Sequence, residues 1–246
     1  MAWKILLCIL FGYAVGNINP AYIIGRLRGI DVRKSGSGNA GASNALILMG
    51  KFIGIGSALF DILKAAAVMW LAPVMFGDIA CIAEIGGVAC TIGHIYPVVM
   101  KFKGGKGLAC LGGILLALDW RLLLIVLAIE IVIVLVVNYI CIVPITASIA
   151  LPILYGVFGD LKLGWLLRAE GGWPAIGILC IVTAVMLLKH LQNLYRIATG
   201  TEMHFSYLWS KDKEGEKARI EENRKKLAEK KQARKAAEAA RKENNA

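Results

Sequence analysis

Three short polar segments interrupt an otherwise apolar chain, and their residue types suit phosphate binding. The first island covers residues 35–44 and reads Ser-Gly-Ser-Gly-Asn-Ala-Gly-Ala-Ser-Asn, and the second covers residues 102–107 and reads Phe-Lys-Gly-Gly-Lys-Gly. The third island covers residues 190–202. Glycine-rich loops with Ser, Asn and Lys present backbone N–H groups and a cation, which is the chemistry that holds phosphate. If all three islands face the same side of a bilayer, they can form one site.

Glycines in the first two islands permit positive φ and close backbone approach, so successive N–H groups can point into one anion-binding concavity. The residues expected to bind phosphate are Ser37, Gly38, Asn39, Gly41, Asn44, Lys103, Gly104, Gly105, Lys106 and Gly107. Lys106 adds a point charge beside the start of the next apolar segment, where the helix dipole also favours an anion. The alternative is a tight glycine turn with a lysine that faces lipid headgroups.

Neither glycine-rich island is a convincing nucleotide-binding motif. The first matches G-x-G-x-x-G, but apolar spans flank it where the dinucleotide motif requires a strand and a helix. The second has Met100 and Gly107 where the Walker motif requires Gly and Ser or Thr. An NTPase is therefore not indicated.

His190, Asn193 and Arg196 are spaced at three-residue intervals in the third island and share one helix face. His190 can act as a catalyst or as a simple partner of the helix dipole. Glu202 can orient His190, pair with a basic residue or remain an exposed acid. Upstream of the second island, His94 can take part in catalysis or anchor the loop that leads to Lys106.

Composition predicts an all-α integral membrane protein, because 58% of the 246 residues are hydrophobic and only 18% are charged. Apolar runs predict seven transmembrane helices at residues 3–24, 52–76, 79–100, 108–118, 122–143, 145–158 and 173–192. The fourth run reaches only about 17 Å at 1.5 Å per residue, which is too short to cross the membrane unless its helix begins earlier, at the Gly104-Gly105 turn. The second and third islands share a face only if this run crosses the membrane.

Loop charge predicts that the N-terminus lies outside and that the islands and the C-terminus are cytoplasmic. Cations flank the first two islands at Arg26, Arg28, Arg33, Lys34, Lys51, Lys101, Lys103 and Lys106, whereas the alternate loops carry Arg121, Lys162 and Arg168. Tryptophans at the expected outer ends agree with this orientation, and they are Trp3, Trp70, Trp120, Trp165 and Trp173. The net charge of +11 therefore indicates anionic lipid rather than nucleic acid as the partner.

Ionisable residues inside the expected spans require partners, because a charge in hydrocarbon is costly. Asp61 and Lys64 have helical spacing and are expected to neutralise each other. Glu84 and Glu130 can serve either a proton relay or hydrogen bonds between helices. The six cysteines show no Cys-x-x-Cys pair and no His at ligand spacing, so neither a metal nor a disulfide is predicted.

The last part of the chain differs sharply in composition from the rest. Residues 206–246 are rich in Ala, Lys, Arg and Glu and contain too few apolar residues for a core. We expect a membrane domain at residues 1–205 and a cytoplasmic tail, either a solvated helix or disordered, at residues 206–246. Weak adhesion of this tail to anionic lipid is the functional alternative.

The ordered trio of islands resembles the motifs of the bacterial acyl-phosphate:glycerol-3-phosphate acyltransferases, the PlsY family. The similar stretches are Gly-Ser-Gly-Asn-Ala-Gly-Ala-Ser-Asn at residues 36–44, Gly-His-x-x-Pro leading to Phe-Lys-Gly-Gly-Lys-Gly at residues 93–107, and His-x-x-Asn-Leu-x-Arg-x-x-x-Gly-x-Glu at residues 190–202. The likeness covers about residues 1–205 and excludes the tail.

This resemblance implies a seven-span enzyme of the inner membrane that moves a fatty acyl group from acyl phosphate to the 1-hydroxyl of glycerol 3-phosphate. It implies no metal or organic cofactor. By position, Ser37 and the residue 104–107 loop with Lys106 would bind phosphate, His190 and Asn193 would line the reaction centre, and Glu202 would support them. An acyl phosphate is already activated, so positioning and charge neutralisation can supply much of the rate.

Three positions depart from the family pattern. Ile47 stands where the family usually has Arg, ten residues after the first-motif Ser, and it cannot neutralise phosphate. Arg33, Lys34 and Lys51 are the nearby cations that could replace that Arg. Further along, Asn138 and Cys141 replace a cation and a hydroxyl of the pattern, which makes reduced activity, another acceptor or an inactive relative possible outcomes.

Two other kinds of protein fit parts of this pattern. A transporter or receptor for an organic phosphate could use the same anion-binding loops without chemistry, although no pseudo-symmetric halves are visible in the sequence. A structural membrane scaffold with a basic tail is the other alternative.

Overall fold

The computed structural model describes residues 1–77, 79–160, 172–208, 210 and 212–243, and all regular structure in these ranges is helical. The helices are α1 (Ala2–Gly16), α2 (Pro20–Leu27), α3 (Ala42–Met49), α4 (Lys51–Phe76), α5 (Ile82–Ile95), α6 (Leu108–Leu118), α7 (Trp120–Val137), α8 (Val143–Asp160), α9 (Gly172–Ala198) and α10 (Lys213–Glu243). Short 3-10 turns occupy Val98–Met100, Ile140–Ile142 and Phe205–Leu208. Lys162, Trp165 and Arg168, used above to orient the chain, lie outside the described residues.

Among the described helices, five are long and apolar enough to cross a membrane, and a sixth span is obtained if α1 and α2 are taken together. These two helices are bent by 41° at a break of a few residues. The break follows from local sequence, because the Asn19 side chain accepts a hydrogen bond from the Tyr22 N–H at 2.8 Å and Pro20 starts α2. The expected first span over residues 3–24 therefore consists of two helices with a bend, and its crossing of the membrane stays a prediction.

Helix α6 is an apolar helix of 11 residues. It begins at Leu108, because Gly107 adopts a φ of +91° that an α-helix does not allow. The helix bounds are those expected from the apolar run, and the earlier start that would lengthen the segment is not observed. Leu111 and Ile114 of α6 are fully buried, so much of this short helix contacts protein. The count of seven spans stays a prediction.

The chain divides into two compact units. The larger unit comprises residues 1–130 and 144–189, and the smaller comprises residues 131–143 and 190–246. The expected division at residue 205 stays a prediction. In the larger unit, the main hydrophobic cluster joins side chains of α4 to α9, among them Leu111, Leu151 and Leu179. Outward positions are also apolar, and Trp3, Trp70, Trp120 and Trp173 are all more than half exposed.

Carboxylates in this unit are paired with hydroxyl groups of other helices. The Tyr155 hydroxyl donates to Glu84 at 2.8 Å, and the Thr146 hydroxyl donates to Glu130 at 2.7 Å. Of the two roles considered for these acids, the structure shows the interhelical hydrogen bonds, which remove the cost of isolated polar groups among apolar side chains.

Glycines allow α1 and α5 to approach at backbone contact, as the Gly12-x-x-x-Gly16 spacing predicts. A Cβ at Gly12 would lie 2.5 Å from the Gly86 carbonyl oxygen. Cβ atoms at Gly16 and Gly93 would overlap the carbonyl oxygens of Cys90 and Tyr13. No side chain fits between these backbones.

We expect Gly93→Ala to lower the stability of the protein by about 1–3 kcal/mol, because the added methyl must push α1 away from α5. The control is Gly56→Ala on α4, where an added Cβ has no neighbour within 4 Å. Thermal unfolding of both variants in the same detergent tests this expectation. Equal midpoints for the two variants would contradict the close helix contact.

Candidate active site

The buried side chain of Asn44 holds the loop of the first island through hydrogen bonds to its main chain. Its side chain is buried and donates hydrogen bonds to the carbonyls of Val32 at 2.9 Å and Ser35 at 3.0 Å. It also accepts a hydrogen bond from the Ser37 N–H at 2.9 Å. Both the oxygen and the nitrogen of the amide are thus used within the protein. Asn44 was expected to bind phosphate, but in this structure its side chain shapes the loop.

Ser37 lies at the exposed crest of this loop. Gly36 and Gly38 flank it with φ values of +60° and +72°, which turn the chain sharply on both sides. Ser37 and Gly38 are exposed, and Asn39 and Gly41 are partly exposed. The N–H groups of Ser37 and Gly38 donate to Asn44 and to the Ser35 carbonyl. The Ser37 side chain is therefore exposed at the surface of the loop, while the two N–H groups are used within it.

Arg33 connects the first island to the second. Its guanidinium donates two hydrogen bonds to Asp31, at 2.9 and 2.8 Å, and a third to the Met100 carbonyl at 3.0 Å, just before the second island. The Arg33 hydrogen bonds hold the pKa of Asp31 well below its usual range. Val32, Ala40 and Met100 form a small buried cluster at the same place. The structure thus brings the first two islands together.

The second island is a loop folded back onto α5. The N–H of Gly104 donates to the Ile95 carbonyl at 3.2 Å, and the N–H of Gly105 donates to the His94 carbonyl at 3.1 Å. These two N–H groups are already satisfied, so the expected nest for an anion is not formed by them. A Cβ at Gly105 would overlap the His94 imidazole, which explains why glycine is needed there.

Two lysines place positive charge at the second island. Lys103 is exposed, and Lys106 is partly exposed directly before Gly107 and the N-terminus of α6. Positive charge at this place is reinforced by the helix dipole.

A buried ionic cluster lies beneath this loop. Lys64 and Asp61 on α4 form a salt bridge of 2.7 Å, and the Nδ1 atom of His94 lies 3.3 Å from the Asp61 carboxylate and 3.2 Å from the Lys64 ammonium. Lys64 also donates hydrogen bonds to the carbonyls of Gly16 at 3.0 Å and Ile18 at 2.7 Å. Those carbonyls belong to the break between α1 and α2. The expected Asp61–Lys64 pair is confirmed.

The same cluster includes three possible metal ligands. Potential ligand atoms of Asp61, His94 and Cys110 lie within 4.8 Å of one another. The Lys64 ammonium already neutralises the carboxylate from within hydrogen-bond distance, so a second cation would meet a positive charge there. The arrangement favours an ion-paired cluster over a metal site. Of the two roles considered for His94, catalysis and anchoring of the loop that leads to Lys106, its contacts favour anchoring.

The third island lies in the smaller unit, at the end of α9. His190 and Asn193 are buried, with 1% and 4% exposure. The Asn193 amide donates to the Glu202 carboxylate at 3.0 Å, and Arg196 pairs with the same carboxylate at 3.2 Å. Glu202 can make both contacts because α9 ends at Ala198 and the chain then turns at Gly200, whose φ is +65°. Glu202 therefore orients Asn193 and is not an exposed acid.

Comparison with known proteins identifies the family of this chain. The family model described as glycerol-3-phosphate acyltransferase matches residues 6–200. This chain belongs to the glycerol-3-phosphate acyltransferase family. The glycerol-3-phosphate acyltransferase of Brucella anthropi is 37% identical over 197 residues, which cover 79% of this chain and 90% of that protein. Glycerol-3-phosphate acyltransferase 2 of Thermotoga maritima is 36% identical over 195 residues, covering 78% and 92%.

Solved structures of a related acyltransferase show a similar fold. The crystal structure of PlsY, an integral membrane glycerol 3-phosphate acyltransferase, in its glycerol 3-phosphate form has a TM-score of 0.71 and 29% identity, and covers 83% of this chain and 96% of that chain. Its lysophosphatidic acid form has a TM-score of 0.70 with the same identity and coverage.

Positions that depart from the acyltransferase pattern have structural consequences here. Ile47 on α3 is 70% exposed and carries no charge. Of the three cations proposed to replace the family Arg, Arg33 is bound to Asp31, whereas Lys34 and Lys51 are exposed. In the smaller unit, Asn138 exchanges two hydrogen bonds with Ser206, one from its amide at 3.0 Å and one from the Ser206 N–H at 2.7 Å.

Sequence reasoning missed the partners that fix the second island. The cost of a charge inside a span predicted the Asp61–Lys64 pair, and His94 was considered as a catalyst or as an anchor of the loop. The contact of His94 with this pair was not predicted. The link from Lys64 to the break at Gly16 and Ile18 spans 46–48 residues of sequence and leaves no local signal.

We expect Lys64→Met to destabilise the acyltransferase by about 3–5 kcal/mol, because it leaves Asp61 charged and buried and two carbonyls without their donor. Lys51→Met, at the exposed start of the same helix, is the control. Thermal unfolding in detergent measures both. The double variant Lys64→Met with Asp61→Leu should recover part of the loss, and a double variant worse than Lys64→Met would refute this account of the cluster.

Gly105→Ala should displace the second island from His94 and weaken the use of a phosphate-bearing substrate by about tenfold or more, since a shift of about 1 Å can cost a hundredfold in rate. Gly112→Ala on α6 is the matched control, because its added Cβ would meet ordinary contacts of 3.6 Å or more. Steady-state kinetics with varied phosphate substrate give the result, and kinetics equal to the control would show that the contact does not position the loop.

Proposed function

We propose that this chain transfers a fatty acyl group from acyl phosphate to the 1-hydroxyl of glycerol 3-phosphate, giving lysophosphatidate and inorganic phosphate in phospholipid synthesis. The observation that carries the proposal is membership of the glycerol-3-phosphate acyltransferase family, together with the likeness to PlsY in forms that hold glycerol 3-phosphate and lysophosphatidic acid. Acyl phosphate as donor is the finer part of the proposal. It fits a site rich in phosphate-binding groups.

For this reaction the protein must neutralise the charge of the phosphate groups and position the two substrates. The hydroxyl oxygen of glycerol 3-phosphate attacks the acyl carbonyl carbon, the bond from that carbon to the phosphate oxygen breaks, and phosphate leaves with the bonding electron pair. The hydroxyl proton passes to a base, and His190 and the departing phosphate are the two groups able to accept it. No covalent enzyme intermediate is needed, because acyl phosphate is already activated.

Each island has a part in this scheme. The Ser37 hydroxyl and the ammonium groups of Lys103 and Lys106 bind phosphate, and the dipole of α6 reinforces them. His190 and Asn193 line the reacting centre, with Asn193 oriented by Glu202. Gly38, Asn39, Gly41 and Gly107 shape or line the phosphate-binding loops, whereas Asn44, Gly104 and Gly105 support those loops from within. Convergence of the three islands is part of the proposal.

The proposed topology places seven spans in the cell inner membrane, with the N-terminus outside and the active site and C-terminus in the cytoplasm. Loop cations around the first two islands support this orientation by the positive-inside rule. The protein burial of α6 supports a short fourth span, since a helix that contacts protein need not cover the full lipid thickness. The acyl chain would lie between helices, and membrane lipid is the surrounding partner.

The direct test is turnover by the purified protein. Supplied with acyl phosphate and glycerol 3-phosphate, it should release phosphate and form lysophosphatidate, and Lys106→Ala and His190→Ala should each lower the rate by at least about a hundredfold. Lys4→Ala and Gln192→Ala are controls for folding and charge. Product formation at the control rate in both Lys106→Ala and His190→Ala would overturn the mechanism.

A second assay separates catalysis from transport. If proteoliposomes take up glycerol 3-phosphate without making lysophosphatidate, the transporter hypothesis replaces the enzyme. Product formation that requires both substrates and no net uptake supports the acyltransferase.

A further inference from the structure

The tail helix α10 has one face that is covered by protein. Between residues 214 and 231, the residues that are buried or partly buried are Glu216, Arg219, Ile220, Asn223 and Leu227. Glu216, Ile220, Asn223 and Leu227 are three or four residues apart, and Arg219 lies beside Ile220, so all five lie along one side of the helix. All other residues of that stretch are exposed. The first half of α10 is therefore a helix docked along one face, not one that is exposed all round.

The covered face binds the main chain of the third island. The Arg219 guanidinium donates hydrogen bonds to the Gly200 carbonyl at 3.2 Å and to the Glu202 carbonyl at 3.4 Å. The Asn223 amide donates to the same Gly200 carbonyl at 2.9 Å. A Cβ at Gly200 would lie 2.8 Å from the Asn223 amide nitrogen, so the two elements are in close contact. These carbonyls follow the end of α9, where no helical N–H is available to them.

Further contacts on both sides keep α10 in register. Glu216 accepts a hydrogen bond from the His204 N–H at 3.1 Å and pairs with Arg219 at 2.8 Å. The His204 ring in turn lies 3.0 Å from the Tyr139 hydroxyl. Burial would raise the pKa of Glu216, but its bonds to Arg219 and His204 outweigh burial and lower that pKa. The Lys231 ammonium lies 5.6 Å from the Tyr195 ring.

The segment that α10 holds is the one that orients Asn193. On one side of this segment, Arg219 and Asn223 hold the carbonyls of Gly200 and Glu202. On the other side, the Glu202 carboxylate accepts a hydrogen bond from the Asn193 amide. A movement of residues 200–202 would therefore move the carboxylate that fixes Asn193.

We propose that α10 is a positioning element of the active site, with Arg219 and Asn223 as positioning residues that act through Glu202 on Asn193. This inference rests on the proposed function and extends it beyond residues 6–200, where the family model matches. The tail thus serves catalysis by fixing main-chain carbonyls, independently of any attraction to anionic lipid.

The test compares Arg219→Ala with Arg224→Ala in the full chain. Arg224 has the same charge, lies on the same helix and is exposed. We expect Arg219→Ala to lower kcat about tenfold to a hundredfold with a smaller change in the KM for glycerol 3-phosphate, since misplacement of a reacting group acts mainly on the rate. Arg219→Lys should restore part of kcat because an ammonium can still donate to one carbonyl. Arg224→Ala should match the unaltered chain.

A double-variant cycle identifies the route of the effect. In a Glu202→Gln background, Arg219→Ala should lower kcat much less than it does alone, because both changes act on the same contact to Asn193. Asn223→Asp, which keeps the shape and loses the donor to Gly200, should act in the same direction as Arg219→Ala. Additive losses from Arg219→Ala and Glu202→Gln would overturn the proposed route.

Hydrogen exchange supplies a readout that does not require turnover. The N–H groups of Thr201 and Glu202 donate to the Arg196 carbonyl, and they should exchange faster in Arg219→Ala than in Arg224→Ala. If the unaltered chain makes no lysophosphatidate, the proposed function fails, whereas exchange still decides whether α10 holds this segment. Equal exchange and equal kcat in Arg219→Ala and Arg224→Ala would refute the positioning role.

Discussion

A single buried ammonium is the constraint on which the larger unit depends. Lys64 would be very costly among apolar helices without compensation, and its compensation comes from Asp61 and from two carbonyls at the break between α1 and α2. The break itself leaves those carbonyls without helical donors. Charge burial and helix interruption therefore stabilise each other, and neither would be favourable alone.

Both glycine-rich islands of the larger unit are supported by contacts at or beside this cluster. From the break, the Asn19 amide donates to the Ala40 carbonyl at 2.9 Å and so reaches the first island. On the other side, His94 contacts Asp61 and lies directly against Gly105 of the second island. Arg33 then joins the two islands through the Met100 carbonyl. Their relative position is determined by polar contacts beneath them as well as by the loops themselves.

The glycines of the second island have a different role from the one their composition suggests. The N–H groups of Gly104 and Gly105 close the loop onto α5, and the missing side chain at Gly105 leaves room for the His94 ring. The proposed phosphate binding there would consequently depend on lysine side chains and on the N-terminus of α6. In the smaller unit a glycine also has a structural role, since Gly200 turns the chain just after α9 and lets α10 approach the segment that carries Glu202.

Several properties follow from the sequence alone. Composition determined the membrane class, and the motifs of the three islands identified the acyltransferase family. Local spacing predicted the Asp61–Lys64 pair and placed His190 and Asn193 on one face of α9, because contacts between residues three apart follow from helix geometry. The tertiary structure alone decided which distant groups satisfy buried charges and carbonyls, such as Lys64 with Gly16 and Arg219 with Gly200. Such partners are selected by packing and by the cost of unsatisfied polar groups, and neither leaves a periodic trace in the chain.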